Sequence, residues 1–409
     1  MFEGKESKVP AKKRATARHM TEEPPQPWVT DFLLTCGVRF GLFFALFQIE
    51  PLFPLFLKNM DASPVMIGLV MAAFPFGATV VRPLVGLFID QVGRKFFLLS
   101  GLLIFMTATL GYVWTTSVVV ALLLRTYHGF GWSGCTTSIG TLTADIAPAG
   151  RRGEMIGYAG AMSTVAGAIA PVVGFFAVER WGFPAMFSIA LGVVALSLAG
   201  ALSIKEPLRA QVATIRRGWL ETLVVRESLM PAVSMGLLGF SRGSVIAFLA
   251  LYALGIGLEN PGYWFGLYAV AVVVSRPIVG PISDRCGRAV VIIPCFVLTL
   301  VGMLLLSFAQ SPTVLMIAAV IIGFGYGAVH PSLMTLAFDL APYERRGMTM
   351  AQFHLFYDLA IGFGSVIPGI ILDLTENNYP VMFLTATGVG ALGLVLFLAT
   401  DRSQRVGAG

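Results

Sequence analysis

Long apolar stretches separated by short polar turns fill the chain from residue 28 to residue 400. A helix that crosses a bilayer needs about 20 mostly apolar residues. Twelve segments meet that length, at roughly 30–57, 64–89, 96–115, 118–143, 154–178, 183–203, 229–256, 260–283, 289–309, 312–338, 348–372 and 379–400. The pattern predicts an all-α integral membrane protein with twelve transmembrane helices. The longest polar break carries Lys205, Arg209, Arg216, Arg217 and Arg226 and divides the segments into two sets of six. The expected organisation is a disordered basic tail over 1–27, a six-helix bundle over 28–203 and a linker over 204–228. A second six-helix bundle over 229–400 and a short tail over 401–409 follow.

An internal repeat relates the two sets. The frame RPxVGxxxDxxGR starts at Arg82-Pro83 and runs through Gly86, Asp90, Gly93 and Arg94. It recurs 194 residues later, from Arg276-Pro277 through Gly280, Asp284, Gly287 and Arg288. Gly129-Phe130-Gly131 and Gly323-Phe324-Gly325 keep the same offset. So do Asp145-Ile146-Ala147-Pro148 and Asp339-Leu340-Ala341-Pro342, and Arg151-Arg152-Gly153 and Arg345-Arg346-Gly347. Several motif pairs at one spacing indicate a parallel duplication, so the two bundles are expected to be pseudo-symmetric. Each RP frame ends one apolar segment and begins the next, which makes it a tight turn just outside the membrane. Its glycines let two helices approach closely, and its Asp can accept hydrogen bonds from a neighbouring helix N-terminus.

Composition agrees with the pattern. Hydrophobic residues make up 56% of the chain and charged residues 12%, against about 25% charged in a soluble domain. The net charge of +6 does not point to nucleic acid, because the basic residues occupy turns on one side of alternate apolar segments. That side collects the N-terminal tail, Arg94/Lys95, Arg151/Arg152, the linker, Arg285/Arg288, Arg345/Arg346 and Arg402/Arg405, whereas the other shows Lys58 and Arg180. Basic turns face the cytoplasm, so the chain is expected to be a multi-pass protein of the inner (plasma) membrane with both termini cytoplasmic. The N-terminal tail lacks the order of a cleavable signal. Cys36, Cys135, Cys286 and Cys295 are too scattered for a disulfide framework and read as reduced fillers. The chain has no HExxH, paired-Cys set, nucleophile elbow or GxxxxGK[ST] loop, which argues against an enzyme, a metal site and an ATP-driven pump.

Twelve segments in two parallel halves, with the basic turn after segments 2 and 8, resemble the major facilitator superfamily. Gly86-x-x-x-Asp90-x-x-Gly93-Arg94-Lys95 is similar to that family's loop signature. The resemblance implies two rigid bundles that rock about a substrate held between them near mid-membrane, and a monomer suffices. It implies gating roles, outside the substrate site, for Asp90, Asp284, Arg94 and Arg288. The glycines Gly86, Gly93, Gly280 and Gly287, and the paired Asp145, Arg151, Asp339 and Arg345, belong to the same gating set. Arg125-Thr126-Tyr127-His128-Gly129 resembles the RxxxG motif of drug:proton antiporters, and Ala170-Pro171-Val172-Val173-Gly174 resembles their GPxxG motif, with Ala170 in place of its first glycine. These two motifs imply export against a proton gradient. A non-transporting receptor is disfavoured because both gating motifs are retained.

Ionisable side chains inside the bilayer cost at least about 2.5–3.5 kcal/mol each and mark functional positions. Arg39 and Glu50 lie eleven residues apart, about three helical turns, and so share a face; Gln48 is beside Glu50, and Pro51 and Pro54 break the helix nearby. Arg125 is about 10 Å into its segment, near the depth of Glu50, with His128 at i+3. Glu50, Arg125 and His128 are therefore expected to form a titratable cluster. In the second half Arg242 is flanked by Ser241, Gly243 and Ser244, while His354 and Asp358 are one turn apart on one face. Arg82 lies by the membrane interface and reads as structural, and so does Asp373. The excess of cationic groups predicts a substrate with an anionic group, since arginine matches carboxylate or phosphate. The reading is a secondary active transporter that exports a small amphipathic organic compound (drug-like, metabolite or metallophore) in exchange for protons. No cofactor is expected besides the proton gradient, and membrane lipid is its surroundings. The alternative is an importer or facilitator of a small organic anion or sugar, although few Asn, Gln or Trp lie at mid-membrane.

Overall fold

The computed structural model describes residues 27–148, 151–206, 225–342 and 345–406. Most of the expected N-terminal tail and linker lie outside this range. The helices are α1 (Pro27–Ile49), α2 (Phe53–Lys58), α3 (Pro64–Val92), α4 (Arg94–Trp114), α5 (Val118–Ile146), α6 (Arg152–Trp181) and α7 (Phe183–Ser203). They are followed by α8 (Leu229–Gly255), α9 (Gly262–Cys286), α10 (Arg288–Ser307), α11 (Pro312–Leu340), α12 (Arg346–Leu374) and α13 (Tyr379–Val406). The described residues form no β-strand.

The first crossing is broken where the sequence demands it. Pro51 has no amide hydrogen, so the helix ends after the Glu50 N–H donates to the Leu46 carbonyl at 2.8 Å. α2 then restarts with Pro54 in its first turn. Glu50 is left on irregular backbone between two helical pieces.

Among the described residues, eleven crossings are both long and apolar enough to span a membrane. The twelfth, α5, has 29 residues but is rich in Gly, Ser and Thr, and it lies between α3 and α4. Its threonine hydroxyls bond locally: Thr126, Thr136 and Thr143 donate to the carbonyls of Leu122, Trp132 and Ile139, whereas the buried Ser133 and Ser138 hydroxyls have no partner among the described residues. A helix shielded by its neighbours and bonded in this way can sit inside a bundle without being apolar all round.

In the first half α1 packs on α6 and α7, and α4 on α7; in the second, α8 packs on α12 and α13, with α11 between α9 and α10. The duplicated turns are built alike. Gly93 (φ 119°) separates α3 from α4, and Gly287 (φ 95°) separates α9 from α10, a backbone conformation from which a Cβ is excluded.

The halves meet along two seams, α3 with α12 and α6 with α9. The seams are tight at the face away from the basic turns. A Cβ on Gly369 would come 2.6 Å from the Pro64 carbonyl oxygen, and one on Gly262 would come 2.9 Å from the Phe175 ring. Gly86 and Gly280 behave differently from the expected close packing, because a Cβ there would meet nothing within 4 Å. The halves close at one face and part toward the other.

Candidate functional site

The centre of the first half is a buried cation in an aromatic box. Arg125 of α5 is 1% exposed. Its guanidinium carbon lies 4.6 Å from the Phe53 ring centroid and 4.9 Å from that of Phe74. Nη2 points at the Met71 sulfur, 3.9 Å away, whereas Nε and Nη1 have no hydrogen-bond partner. Desolvated cation–π contacts contribute about 2 kcal/mol, which offsets only part of the several kcal/mol lost on burying an ion. The remaining stabilisation must come from opposite charge. Glu50, half-buried at the α1–α2 break, is within electrostatic reach of both Arg125 and Arg242, and its carboxylate makes no hydrogen bond among the described residues.

His128 shares the Arg125 face, as its spacing predicts, but turns deeper into the bundle. Its Nδ1 lies 3.1 Å from the Tyr112 hydroxyl, its ring 3.9 Å from that of Phe105, and its Nε2 has no partner.

The second half answers with an arginine among tyrosines. Arg242 Nη1 donates to the Tyr268 hydroxyl at 2.9 Å, and its guanidinium lies 5.3 Å from the Tyr326 ring centroid. The Tyr326 and Tyr357 hydroxyls are 2.6 Å apart. Trp264 stacks on Tyr268 with rings 8° from parallel and so fixes its orientation. A small cavity opens against Arg242, Ser241, Tyr268, Thr299 and Tyr326. The Ser241 and Thr299 hydroxyls donate to the Ala386 and Cys295 carbonyls, so the guanidinium and the Tyr268 and Tyr326 hydroxyls are the groups suited to an anionic oxygen there.

Other expected site residues are placed elsewhere. Gln48 is buried and donates through Nε2 to the Met186 carbonyl at 3.3 Å, so it ties α1 to α7 inside the first half. Arg39 donates from Nε to Ser163 Oγ at 2.7 Å, which ties α1 to α6. Asp358 does not pair with His354. It accepts from Arg82 Nη2 at 2.8 Å, across the α3/α12 seam. Arg82, read from the sequence as structural, is thus a link between the halves. His354 packs edge-on to Phe353, and His330 lies among Tyr326, Phe353 and Tyr357.

The expected gating residues form duplicated pairs within each half. Arg94 pairs with Asp145, and Arg288 with Asp339 at 3.1 Å. The Arg94 N–H also donates to Glu206 at 2.7 Å, and Arg151 pairs with Glu154. The Arg345 N–H caps the turn by donating to the Pro342 carbonyl at 2.9 Å. The side chains of Asp90 and Asp284 lie outside those described.

Sequence reasoning did not single out Tyr268 or Tyr326 and left Tyr357 unassigned, because tyrosines on apolar helices carry no motif. The signal that finds them is their convergence on the Arg242 guanidinium from α9, α11 and α12.

Known proteins fit this architecture. The chain is 26% identical over 388 residues to an uncharacterized MFS-type transporter of Methanocaldococcus jannaschii, covering 92% of this chain and 97% of that one. Its fold is similar to a bacterial homolog of the human lysosomal transporter Spinster, solved in an inward-facing and occupied conformation (TM-score 0.77, 14% identity, 93% and 98% of the two chains). It is also similar to the human organic anion transporter MFSD10 (TETRAN), with TM-score 0.69, 18% identity, and 91% and 100% of the two chains covered. The sequence profile of the Major Facilitator Superfamily matches residues 35–260 and again 232–408, and the chain belongs to that family, a non-enzymatic multi-pass membrane transporter.

Proposed function

We propose that this transporter works by alternating access, with its basic turns cytoplasmic, and couples the movement of a small amphipathic organic anion to protons. The observation that carries this reading is that Glu50, on the irregular backbone between α1 and α2, is within electrostatic reach of arginines of both halves, Arg125 and Arg242. When Glu50 is ionised, it supplies the counter-charge for both guanidinium groups. An anion seated at Arg242 takes over that role, and the carboxylate beside it then gains from taking up a proton. Anion and proton therefore favour each other's binding, and the coupling is reciprocal. This electrostatic order supports movement of both in the same direction.

A second reading, export in exchange for protons, draws on the antiporter-like Arg125 motif. It is favoured by the two partnerless guanidinium nitrogens of Arg125, which leave a buried charge that, among the described carboxylates, Glu50 is placed to balance. The similarity to an organic anion transporter supports the substrate class in either case.

Proteoliposomes carrying a pH-sensitive dye separate the readings. Organic anions and drug-like cations are added to wild type and E50Q. Proton flux that accompanies an organic anion in the same direction and is lost in E50Q is the expected result. Flux in the opposite direction favours the antiporter. Anion movement without proton flux, unchanged in E50Q, overturns coupling altogether.

A further inference from the structure

The duplication exchanges the two seams, and one hydrogen bond between the halves is built twice. Arg82 of α3 donates to Asp358 of α12 at 2.8 Å, and Arg276 of α9 donates to Thr164 of α6 at 2.7 Å. Arg82 and Arg276 are 194 residues apart, and so are Thr164 and Asp358. The backbone geometry repeats while the acceptor changes from an anion to a neutral hydroxyl.

The change leaves one cation unbalanced. Arg82 is neutralised in a pair whose side chains are 18% and 14% exposed. Arg276 has no carboxylate partner among the described residues, and it is exposed. Its principal electrostatic neighbour is the Tyr268 hydroxyl, the group that receives the Arg242 hydrogen bond. Along α9, Arg276 follows Tyr268 by eight residues, about 12 Å, toward the basic turns where the halves part. An intramembrane guanidinium with no carboxylate partner among the described residues, about two helical turns along α9 from the tyrosine that holds Arg242, is arranged to meet a second anionic group.

We infer that Arg276 is a second anion-binding residue of the transport site, and that the favoured substrate carries two acidic groups, one at Arg242 and one at Arg276, with its apolar body against Tyr268. The inference rests on the reading of Arg242 as the first anchor. Thr164 holds the Arg276 side chain in place until the second acidic group replaces it.

Calorimetric titration of the purified full chain with 2-naphthoate and with naphthalene-2,6-dicarboxylate tests this. Wild type is expected to bind the dianion about tenfold more tightly, as one charge-assisted hydrogen bond provides. R276Q brings that ratio close to one without changing 2-naphthoate binding. T164D copies the acidic acceptor of the other seam, occupies Arg276 with a carboxylate, and has the same effect with the arginine still present. A tenfold preference that survives in R276Q overturns the role of Arg276 while leaving Arg242 untouched. Equal weakening of both ligands in R276Q also overturns it, and makes the Arg276–Thr164 bond purely structural. If wild type binds neither ligand, or R242Q binds both as wild type does, the Arg242 anchor itself falls, and Arg276 with it.

Discussion

D358N removes the negative charge of the ionic link across the α3/α12 seam and keeps a neutral acceptor. The pair is 2.8 Å long, with side chains 18% and 14% exposed. Exposed ion pairs contribute about 0.2–1 kcal/mol, and removing one partner of a fully buried pair costs about 3–5 kcal/mol. A pair this shielded lies between those limits, so the loss is about 2 kcal/mol, or about thirtyfold in an equilibrium between closed and parted seams. Most of that cost is the Arg82 guanidinium left without counter-charge. R82Q/D358N, which removes both charges, is therefore expected to disturb the seam less than either single change.

The population of parted seams is measurable with spin labels at Lys58 and Asn377, which flank one cavity at the closed face. The four free cysteines, of which Cys286 is exposed, are replaced first. Double electron–electron resonance should show a longer-distance population growing in D358N and in R82Q, and shrinking again in the double variant. Distance distributions in both single variants that match wild type would refute the reasoning, because the pair would then exert no bias on the seam. Strictly additive effects would show that the two charges do not interact.

Other changes test separate parts of the structure. G93A forces a Cβ onto a residue at φ 119°, and should lower stability by about 1–3 kcal/mol, read as an earlier thermal unfolding transition in detergent. G369V drives side-chain atoms into the Pro64 carbonyl, since a Cβ alone would already come 2.6 Å from it; reactivity of a cysteine at position 58 toward an impermeant maleimide should rise. Y357F strands the Tyr326 hydroxyl, now 2.6 Å from its partner, and should weaken 2-naphthoate binding about fivefold by the loss of about 1 kcal/mol, with R242Q losing more in the same calorimeter.

The helices and the duplication were legible in the sequence because each follows from local pattern or from a motif repeated at one offset; the charged residues at the turns were legible as a set, and their pairing was not. Arg94 and Arg288 were grouped with Asp90 and Asp284 of their own motif, whereas their ion-pair partners are Asp145 and Asp339 of the second repeated motif. The break at Glu50 was legible from Pro51 and Pro54. The destinations of side chains were not. Gln48 and Glu50 are two residues apart, yet one is buried toward Met186 and the other is within reach of both arginines, because helix rotation and the break decide which neighbour each meets. Asp358 has a histidine one turn away and a partner 276 residues away in sequence, and the partner was chosen by the contact between halves. The offset of 194 carried this information. It aligns Arg82 with Arg276 and Thr164 with Asp358, and so predicts two equivalent ties once it is applied to every polar residue.

Applied to the site, the same offset shows where two equal halves became different. Gapless helices place Phe74 opposite Tyr268, Arg125 opposite Ala319, His128 opposite Ile322, Trp132 opposite Tyr326 and Ser163 opposite Tyr357. At three of these five positions the second half holds the tyrosine hydroxyls that gather around Arg242. At two others the first half holds the cation and the histidine, and the second half holds aliphatic side chains. A duplicated scaffold has no geometric reason to place these three tyrosines in one half and the Arg125 and His128 pair in the other, since each backbone position exists twice. The proposed coupling assigns the halves different parts: the second would meet the anion through Arg242 and its tyrosines, and in the first Glu50 would balance the charge of Arg125.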